Sequence, residues 1–360
     1  MRSLLILLAA STALAQPARQ TQSSNTTEAL RGISAVSQQI AWASGTHGTY
    51  VRTTSGGRIW IPAQVPNATT LDFRGVVAFS ADEAFLMSAG PGDQSRIYHT
   101  FDAGQHWQLQ FTNTNPKGFF DSIAFWDHTH GIVLGDPIPD ETGKLKFELM
   151  ITDDGQNWTP IPPSQRPPAL EGEGAFAASN TCLAILPVPG DLNIWFATGG
   201  KVARVFHSTD RGRTWQVFDS PITHGPDSAG IFSIAFRDAN HGVIAGGDYK
   251  HPDQDGPNLA FTADGGKSWT LSKIFPQAYF SAVAYDRELS ALAPKNKDDD
   301  QAHIRLFLAA PKFIFDFRPP KDPTRISPPR KSGIEFNAVS PYPAGGAIFV
   351  GPKGSIATIP

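Results

Sequence analysis

The sequence of 360 residues has a single cysteine, Cys182, so no disulfide bond can form within the chain. The simplest role for this thiol is that of a small apolar side chain in the core. Without covalent cross-links, stability has to come from packed side chains. The chain has 24 Phe and 8 Trp residues with which to build such a core.

Several other features are also missing. The chain has 30 Lys and Arg residues against 33 Asp and Glu residues, so no net field attracts nucleic acid or an anionic membrane. No apolar run approaches the roughly 18 residues that a transmembrane helix needs. Dinucleotide-binding, phosphate-loop and nucleophile-elbow motifs do not occur. The sequence therefore predicts no nucleic-acid partner, no transmembrane segment, no cofactor and no metal.

The first residues have the pattern of an export signal. Arg2 supplies a positive charge, a short apolar core follows, and an Ala-Leu-Ala cleavage site comes next. We expect a signal peptide over residues 1–15, a flexible polar leader over 16–25 and one domain over 26–360. After cleavage the protein would be exported, in the periplasm or outside the cell.

What the chain does have is an internal repeat. The octapeptide Ser/Thr-x-Asp-x-Gly-x-x-Trp, the Asp box, occurs in full at 100–107, 208–215 and 262–269. Two degenerate copies lie at 53–60, where Ser replaces Asp, and at 151–158, where the first hydroxyl residue is missing. The Trp residues of successive copies are about 50 positions apart, and this period is typical of a propeller or a solenoid.

Each Asp box is expected to form a hairpin turn between the third and fourth strands of a repeat. The carboxylate accepts backbone N–H groups, the Gly adopts a positive φ, and the Trp fills the space between adjacent repeats. No catalytic residue is assigned. The box residues to which we assign a structural role are Asp102, Gly104, Trp107, Asp153, Trp158, Asp210, Gly212, Trp215, Asp264, Gly266 and Trp269.

A second element recurs upstream of each box, a short strand with a small residue at its centre. Its seven copies lie at 32–36, 75–79, 121–125, 174–178, 232–236, 281–285 and 335–339. Small side chains suit the innermost strand of a propeller blade, where neighbouring backbones approach closely. The sequence therefore predicts an all-β fold, a single seven-bladed β-propeller. The last unit is one strand short, so an N-terminal segment near residues 26–30 should close the ring.

The two faces of such a ring differ. The box turns lie on one face, and the loops between second and third strands lie on the other, which we call the long-loop face. Insertions gather there, at 91–95, 137–146, 249–258 and 294–303. Long loops on one face indicate a binding surface. Candidate binding residues at its central mouth are Arg31, Arg74, Asp121, Asp136, Glu173, Asp248, Tyr249 and Glu335.

Together with the boxes, three segments resemble the photosystem II stability and assembly factor-like propellers: Leu30-Arg-Gly-Ile-Ser-Ala-Val36, Ile40-Ala-Trp-Ala-Ser-Gly45 and Gly48-x-x-x-Arg52-Thr-Thr. The resemblance extends over nearly the whole chain after the signal peptide. It implies a non-catalytic module that acts in assembly. The expected partner on the long-loop face is a protein or an extracellular polymer.

Glycoside hydrolysis is the alternative, because Asp boxes also occur in sialidases and in xyloglucan-cleaving enzymes. Glu171 and Glu173 are the most unusual carboxylates, on a Gly-rich segment that enters a predicted inner strand. The two carboxyl groups of a glycosidase are separated by about 5 Å in retaining enzymes and by about 6.5–9.5 Å in inverting ones. Freely accessible carboxyl groups at such a distance would favour the enzyme hypothesis.

Overall fold

The computed structural model describes residues 19–186, 188–272, 278–287, 305–311, 313–317, 330–331 and 333–360. The predicted signal peptide lies outside these residues. The described ranges form short β-strands and two 3₁₀ turns, Gly92–Gln94 and Pro352–Gly354. No helix in these ranges is long and apolar enough to cross a membrane.

Seven antiparallel sheets, the blades, follow one another along the chain. The N-terminal strand is β1 (Gln20–Ser23). Blade 1 contains β2 (Leu30–Ala35), β3 (Ala41–Gly45), β4 (Thr49–Thr53) and β5 (Ile61–Gln64). Blade 2 contains β6 (Asp72–Ala78), β7 (Ala84–Ala89), β8 (Arg96–Thr100) and β9 (Gln108–Thr112). Blade 3 contains β10 (Phe120–Phe125), β11 (Gly131–Pro139), β12 (Leu145–Thr152) and β13 (Thr159–Pro160).

Two extra strands accompany blade 4, one before it and one between its second and third strands. The short strand β14 (Glu173–Gly174) precedes it and pairs with β17 (Gly199–Gly200). The blade itself contains β15 (Leu183–Ile185), β16 (Ile194–Ala197), β18 (Arg204–Ser208) and β19 (Gln216–Asp219). Through β17, this pair extends the inner edge of blade 5.

The remaining blades complete the ring. Blade 5 contains β20 (Ala229–Phe236), β21 (Gly242–Asp248), β22 (Leu259–Thr262) and β23 (Thr270–Leu271). Blade 6 contains β24 (Ala282–Tyr285), β25 (Leu306–Ala310), β26 (Phe313–Phe317) and β27 (Arg330–Lys331). Blade 7 contains β28 (Ala338–Pro341), β29 (Ala347–Val350), β30 (Ser355–Ile359) and β1. The first strand of each blade contacts the first strands of both neighbours, so the seven-bladed β-propeller is closed.

The N-terminal strand closes the ring, as the sequence predicts. Gln20 lies opposite Thr358, and Ser23 lies opposite Ser355. The closing strand therefore lies within the predicted leader 16–25 and not near residues 26–30, so that boundary is corrected. Its hydrogen bonds to β30 fix these residues in place.

A glutamine holds this strand to blade 1. The Trp60 indole N–H donates to Gln22 Oε1 (2.9 Å), and Gln22 Nε2 donates to the Gly56 carbonyl (3.3 Å). The same hydrogen bond recurs between blades 2 and 3, where the Trp158 indole N–H donates to Gln110 Oε1 (2.9 Å). In both places it joins a box Trp to the outer strand of the preceding blade.

The box turns have the predicted hydrogen bonds. In blade 2, Asp102 Oδ1 accepts the His106 backbone N–H (2.9 Å), and Thr100 Oγ1 accepts the Gly104 N–H (3.0 Å). Gly104 has a φ of 85°, a conformation that favours glycine. Asp210 and Asp264 accept backbone N–H groups in the same way.

The turn of blade 3 differs from its prediction. Asp154 Oδ1, and not Asp153, accepts the N–H groups of Gln156 (2.8 Å) and Asn157 (2.7 Å). Thr152 supplies the hydroxyl group of this box, since Thr152 Oγ1 accepts the Gly155 N–H (2.9 Å). The turn is one residue shorter than in the other boxes, so the fixed octapeptide spacing selected the wrong aspartate.

The inner strand of blade 4 is placed differently from its prediction: it is β15 (Leu183–Ile185), whereas the sequence placed it at 174–178. The predicted insertion at 294–303 lies outside the described residues.

The core lies between the blades. Cys182 is fully buried with Phe147, Phe196 and Phe206 in the cluster between blades 3 and 4. Hydroxyl groups join the inner strands near the axis: Ser340 Oγ accepts the Ala35 N–H at 3.1 Å. Small side chains at these positions therefore permit close contact between blades.

Candidate functional site

The mouth of the long-loop face is built where the first strands begin. In blades 1, 2 and 3 the pairing of first and second strands skips one residue, and the skipped residues are Arg31, Arg74 and Asp121. A bulge of this kind redirects a side chain at the end of a strand. Three predicted binding residues thus occupy equivalent positions on adjacent blades.

Residues 175–180, which we call the axial segment, cross this mouth. The Arg74 Nη1 atom of blade 2 donates to the Ala177 carbonyl (3.0 Å). The Ser179 hydroxyl donates to the Ser281 carbonyl, which precedes the inner strand of blade 6 (2.7 Å). Blades 2 and 6 lie on opposite sides of a seven-membered ring. The axial segment therefore passes across the central channel.

Two predicted binding residues hold the main chain of the axial segment. Asp136 Oδ1 accepts the Ala175 N–H (3.1 Å), and the Asp121 carboxylate accepts the Ala177 N–H. Asp121 is 1% exposed. Together with Arg74, these carboxylates bind backbone groups of the chain itself. The sequence had placed all three at an open mouth, and the structure corrects this.

Burial changes the ionisation of these carboxyl groups. Burial, followed by the nearby charge of Asp136, raises the pKa of Asp121 well above its usual range. Burial also raises the pKa of Asp136 to about 6, although the Ala175 N–H opposes the shift. Asp121 Oδ2 has no hydrogen-bond partner among the described residues. Burial therefore favours the protonated form of both carboxyl groups.

Glu173 and Asp248 are also committed to internal contacts. The Glu173 side chain is fully buried, and Oε1 accepts hydrogen bonds from Arg204 Nε (2.9 Å) and Thr198 Oγ1 (2.7 Å). Asp248 is buried and pairs with His251 Nδ1 (2.8 Å). Neither carboxylate is a free group at the mouth, which corrects the prediction for both.

Aromatic side chains occupy one half of the mouth. The Phe176 ring of the axial segment stacks on Phe232, with centroids 3.9 Å apart and planes inclined by 12°. Phe232 makes edge contacts with Tyr279 (4.7 Å) and Tyr249 (6.1 Å). Tyr249 remains 48% exposed. Of these four residues the sequence identified only Tyr249.

Charged side chains occupy the other half. Arg31 Nε and Asp72 Oδ1 are buried without hydrogen-bond partners within the described residues. Burial, followed by the charge of Arg74, lowers the pKa of Arg31. Glu335 is exposed and precedes the inner strand of blade 7. This half of the mouth therefore contains an unpaired cationic N–H group and an unpaired carboxylate oxygen among the described residues.

Sequence reasoning missed the axial segment because its alternation of small residues also fits an inner strand. The signal that could have found it is the second match directly downstream, where residues 181–185 fit the same pattern. Across the described ranges, no group of three or more His, Cys, Asp or Glu side chains is placed to hold a metal ion.

Comparison with known proteins gives a fold and no family. No protein-family model and no curated protein matches the sequence. The structure titled "YCF48 bound to D1 peptide" is 16% identical with a TM-score of 0.58, and the match covers 96% of this chain and 98% of that chain.

A GH74 xyloglucanase from Xanthomonas campestris is 15% identical with a TM-score of 0.64. The match covers 94% of this chain and 53% of the xyloglucanase, so this chain spans about half of that enzyme. The WD40 repeats of RRP9 are 12% identical with a TM-score of 0.60, and the match covers 95% of this chain and 99% of that chain. These likenesses agree with the strand topology that makes this chain a seven-bladed β-propeller.

Proposed function

We propose that this chain is an exported, non-catalytic protein-binding module of the Asp-box propeller class, with a role in assembly or stability. The observation that carries the proposal is the two-sided mouth of the long-loop face. Tyr249 is half-exposed over an aromatic cluster, and Arg31 carries an unpartnered buried Nε. Tyrosine and arginine are enriched among residues that dominate the energy of protein interfaces.

The YCF48 structure supports a peptide as the class of ligand. YCF48 is bound to a D1 peptide in that structure, so a propeller of this general fold accommodates a peptide. The mouth described here suits the same kind of ligand, because rings on one half can bury an apolar side chain. Arg31 and Asp72 on the other half can pair with main-chain or charged groups.

The contacts of Glu173 favour binding over glycoside hydrolysis. A general acid has to reach the glycosidic oxygen and exchange a proton with it. Glu173 instead lies in a buried ion pair with Arg204, and the axial segment occupies Asp121 and Asp136. Hydrolysis of xyloglucan or a sialoside that Asp136→Asn abolishes would support the enzyme alternative.

The proposal is tested by selecting peptides from a displayed library that bind the chain and measuring their affinity for variants. Tyr249→Ala and Arg31→Ala should each weaken binding about tenfold or more, the effect expected of central interface residues. The matched control Phe101→Ala removes a 56% exposed aromatic ring on the opposite face and should leave the affinity unchanged. Equal affinities for all three variants would contradict binding at the mouth.

A further inference from the structure

The axial segment is bound in the way that a peptide ligand is bound. Its contacts with Arg74, Asp121 and Asp136 involve the main-chain N–H groups of Ala175 and Ala177 and the Ala177 carbonyl. Main-chain hydrogen bonds of this kind give affinity for a peptide whatever its sequence, and pockets for side chains give selectivity. The mouth therefore has the elements of a peptide-binding site.

The side chains of the axial segment alternate in burial. Ala175, Ala177 and Ser179 are buried, whereas the residues between them are half-buried. The backbone turns after Phe176, because the Ala178 N–H donates to the Phe176 carbonyl at 2.8 Å. Phe176 lies on Phe232 and is the one large side chain of the segment.

The surroundings of the ring require small residues. A side chain at Gly199 or Gly230 would meet the Phe176 ring, at 2.3 Å and 2.9 Å from an added Cβ. A Cβ at Gly174 would lie 2.9 Å from Asp136 Oδ1. Gly199 and Gly230 thus make room for the aromatic ring, and the buried residues Ala175 and Ala177 flank the ring with small side chains.

We propose that the axial segment is an intramolecular ligand, and that a partner segment with an aromatic residue between small residues binds the mouth by displacing it. This inference rests on the proposed function, since it names the chemistry of the partner and the contact that regulates access. The partner segment would take over the hydrogen bonds from Asp121, Asp136 and Arg74 and stack its ring on Phe232.

The single cysteine reports whether the axial segment opens. Cys182 is 0% exposed, follows the axial segment directly and interacts with the backbone of Phe176. The thiol also packs between blades 3 and 4, so it reacts with a disulfide reagent after the segment moves, after these blades part or after the protein unfolds. Comparing the reaction rate with the global unfolding rate identifies local opening, and the response to Phe176→Ala identifies movement of the segment.

The first experiment measures labelling of Cys182 by a chromogenic disulfide reagent in native buffer, with the global unfolding rate measured separately. Labelling of the unaltered chain should be faster than global unfolding, and Phe176→Ala should accelerate it about tenfold through loss of the aromatic pair. Phe111→Ala is the matched control, because Phe111 is another half-buried ring stacked on a neighbour, Phe120. Labelling at the global unfolding rate in all three proteins would overturn the inference.

The second experiment measures binding of a synthetic peptide with the sequence of residues 174–180 by fluorescence anisotropy. The peptide should bind the Phe176→Ala variant about tenfold more tightly than the unaltered chain, because the variant's own segment competes less well. A peptide with Ala in place of Phe should bind neither protein. Equal binding to both proteins, or binding to neither, would overturn the inference.

The two proposals fail in different ways. If library peptides bind and depend on Tyr249 while Cys182 remains protected until global unfolding, the mouth binds a partner above a fixed axial segment. In that case the proposed function holds and the displacement mechanism is wrong. If neither Tyr249 nor Arg31 affects any peptide, the proposed function fails whatever the labelling shows.

Discussion

Replacing Asp136 by Asn should change how the stability of the protein depends on pH. The pKa of the Asp136 carboxyl is about 6 in the folded chain, against an ordinary value of 3.8. The folded state therefore binds more protons than the unfolded state between these two values. By linkage, the free energy of unfolding falls as pH rises through this window.

The size of the effect follows from the shift. A difference of about two pKa units corresponds to about 3 kcal/mol, lost at up to about 1.4 kcal/mol per pH unit. The stabilising contribution of the protonated carboxyl is complete below pH 4 and absent above about pH 7. Asn carries no titrating proton, so the Asp136→Asn variant should lack most of this decline.

The assay is denaturant unfolding followed by tryptophan fluorescence at pH values from 4 to 8. The difference in unfolding free energy, variant minus unaltered chain, should increase with pH and level off above pH 7. Glu171→Gln is a suitable control, because Glu171 is a surface carboxylate with a 92% exposed side chain. Parallel curves for Asp136→Asn and the unaltered chain across this range would refute the assigned burial of Asp136.

Three further predictions concern the fold, and thermal or denaturant unfolding tests each of them. Gln22→Ala should cost about 1–2 kcal/mol, because a buried indole N–H and a carbonyl lose their partner, whereas Gln20→Ala on the same strand should cost little. Asp154→Ala should lower the melting temperature, because the turn loses its carboxylate acceptor, and Asp153→Ala should not. The reverse result would show that Asp153 is the aspartate of the box, as the octapeptide pattern predicts. Arg305→Ala should lower the free energy of unfolding by about 3–5 kcal/mol, since Asp286 and Asp316 lose their cationic partner in a buried or half-buried position. A decrease below about 1 kcal/mol would contradict this prediction.

The repeat allowed most of the architecture to be predicted. Five boxes and seven small-residue strands give the number of blades, because each blade needs one inner strand. Blade 4 shows the limit of this reasoning. Residues 174–178 and 181–185 both carry the inner-strand pattern, and local sequence does not choose between them. Pairing of Leu183 with Phe196 makes the choice, and this contact is set by tertiary structure.

The sequence predicted which residues lie at the starts of the inner strands, but it did not predict the contacts that their side chains make. Arg31, Arg74 and Asp121 lie at equivalent strand starts, as the alignment of repeats requires. The repeat does not reveal which groups are already occupied, because the axial segment reaches across the ring to blades that are distant in sequence. The sequence also did not reveal that Glu173 is paired, since its partner Arg204 is 31 positions away.

The position of β1 in the last blade sets the order in which the protein can be completed. Its partner strand, β30, is the final strand of the chain, so a ribosome has to finish nearly the whole domain before the two can pair. Until then, β1 has no partner strand to hold Gln22 beside the indole of Trp60. The long loop that must close costs little in equilibrium stability, because loop entropy grows only logarithmically with length. Closure of this loop is nevertheless slow, because the paired strands are far apart in sequence. A circular permutant that joins β30 directly to β1 should therefore refold faster than the unaltered chain.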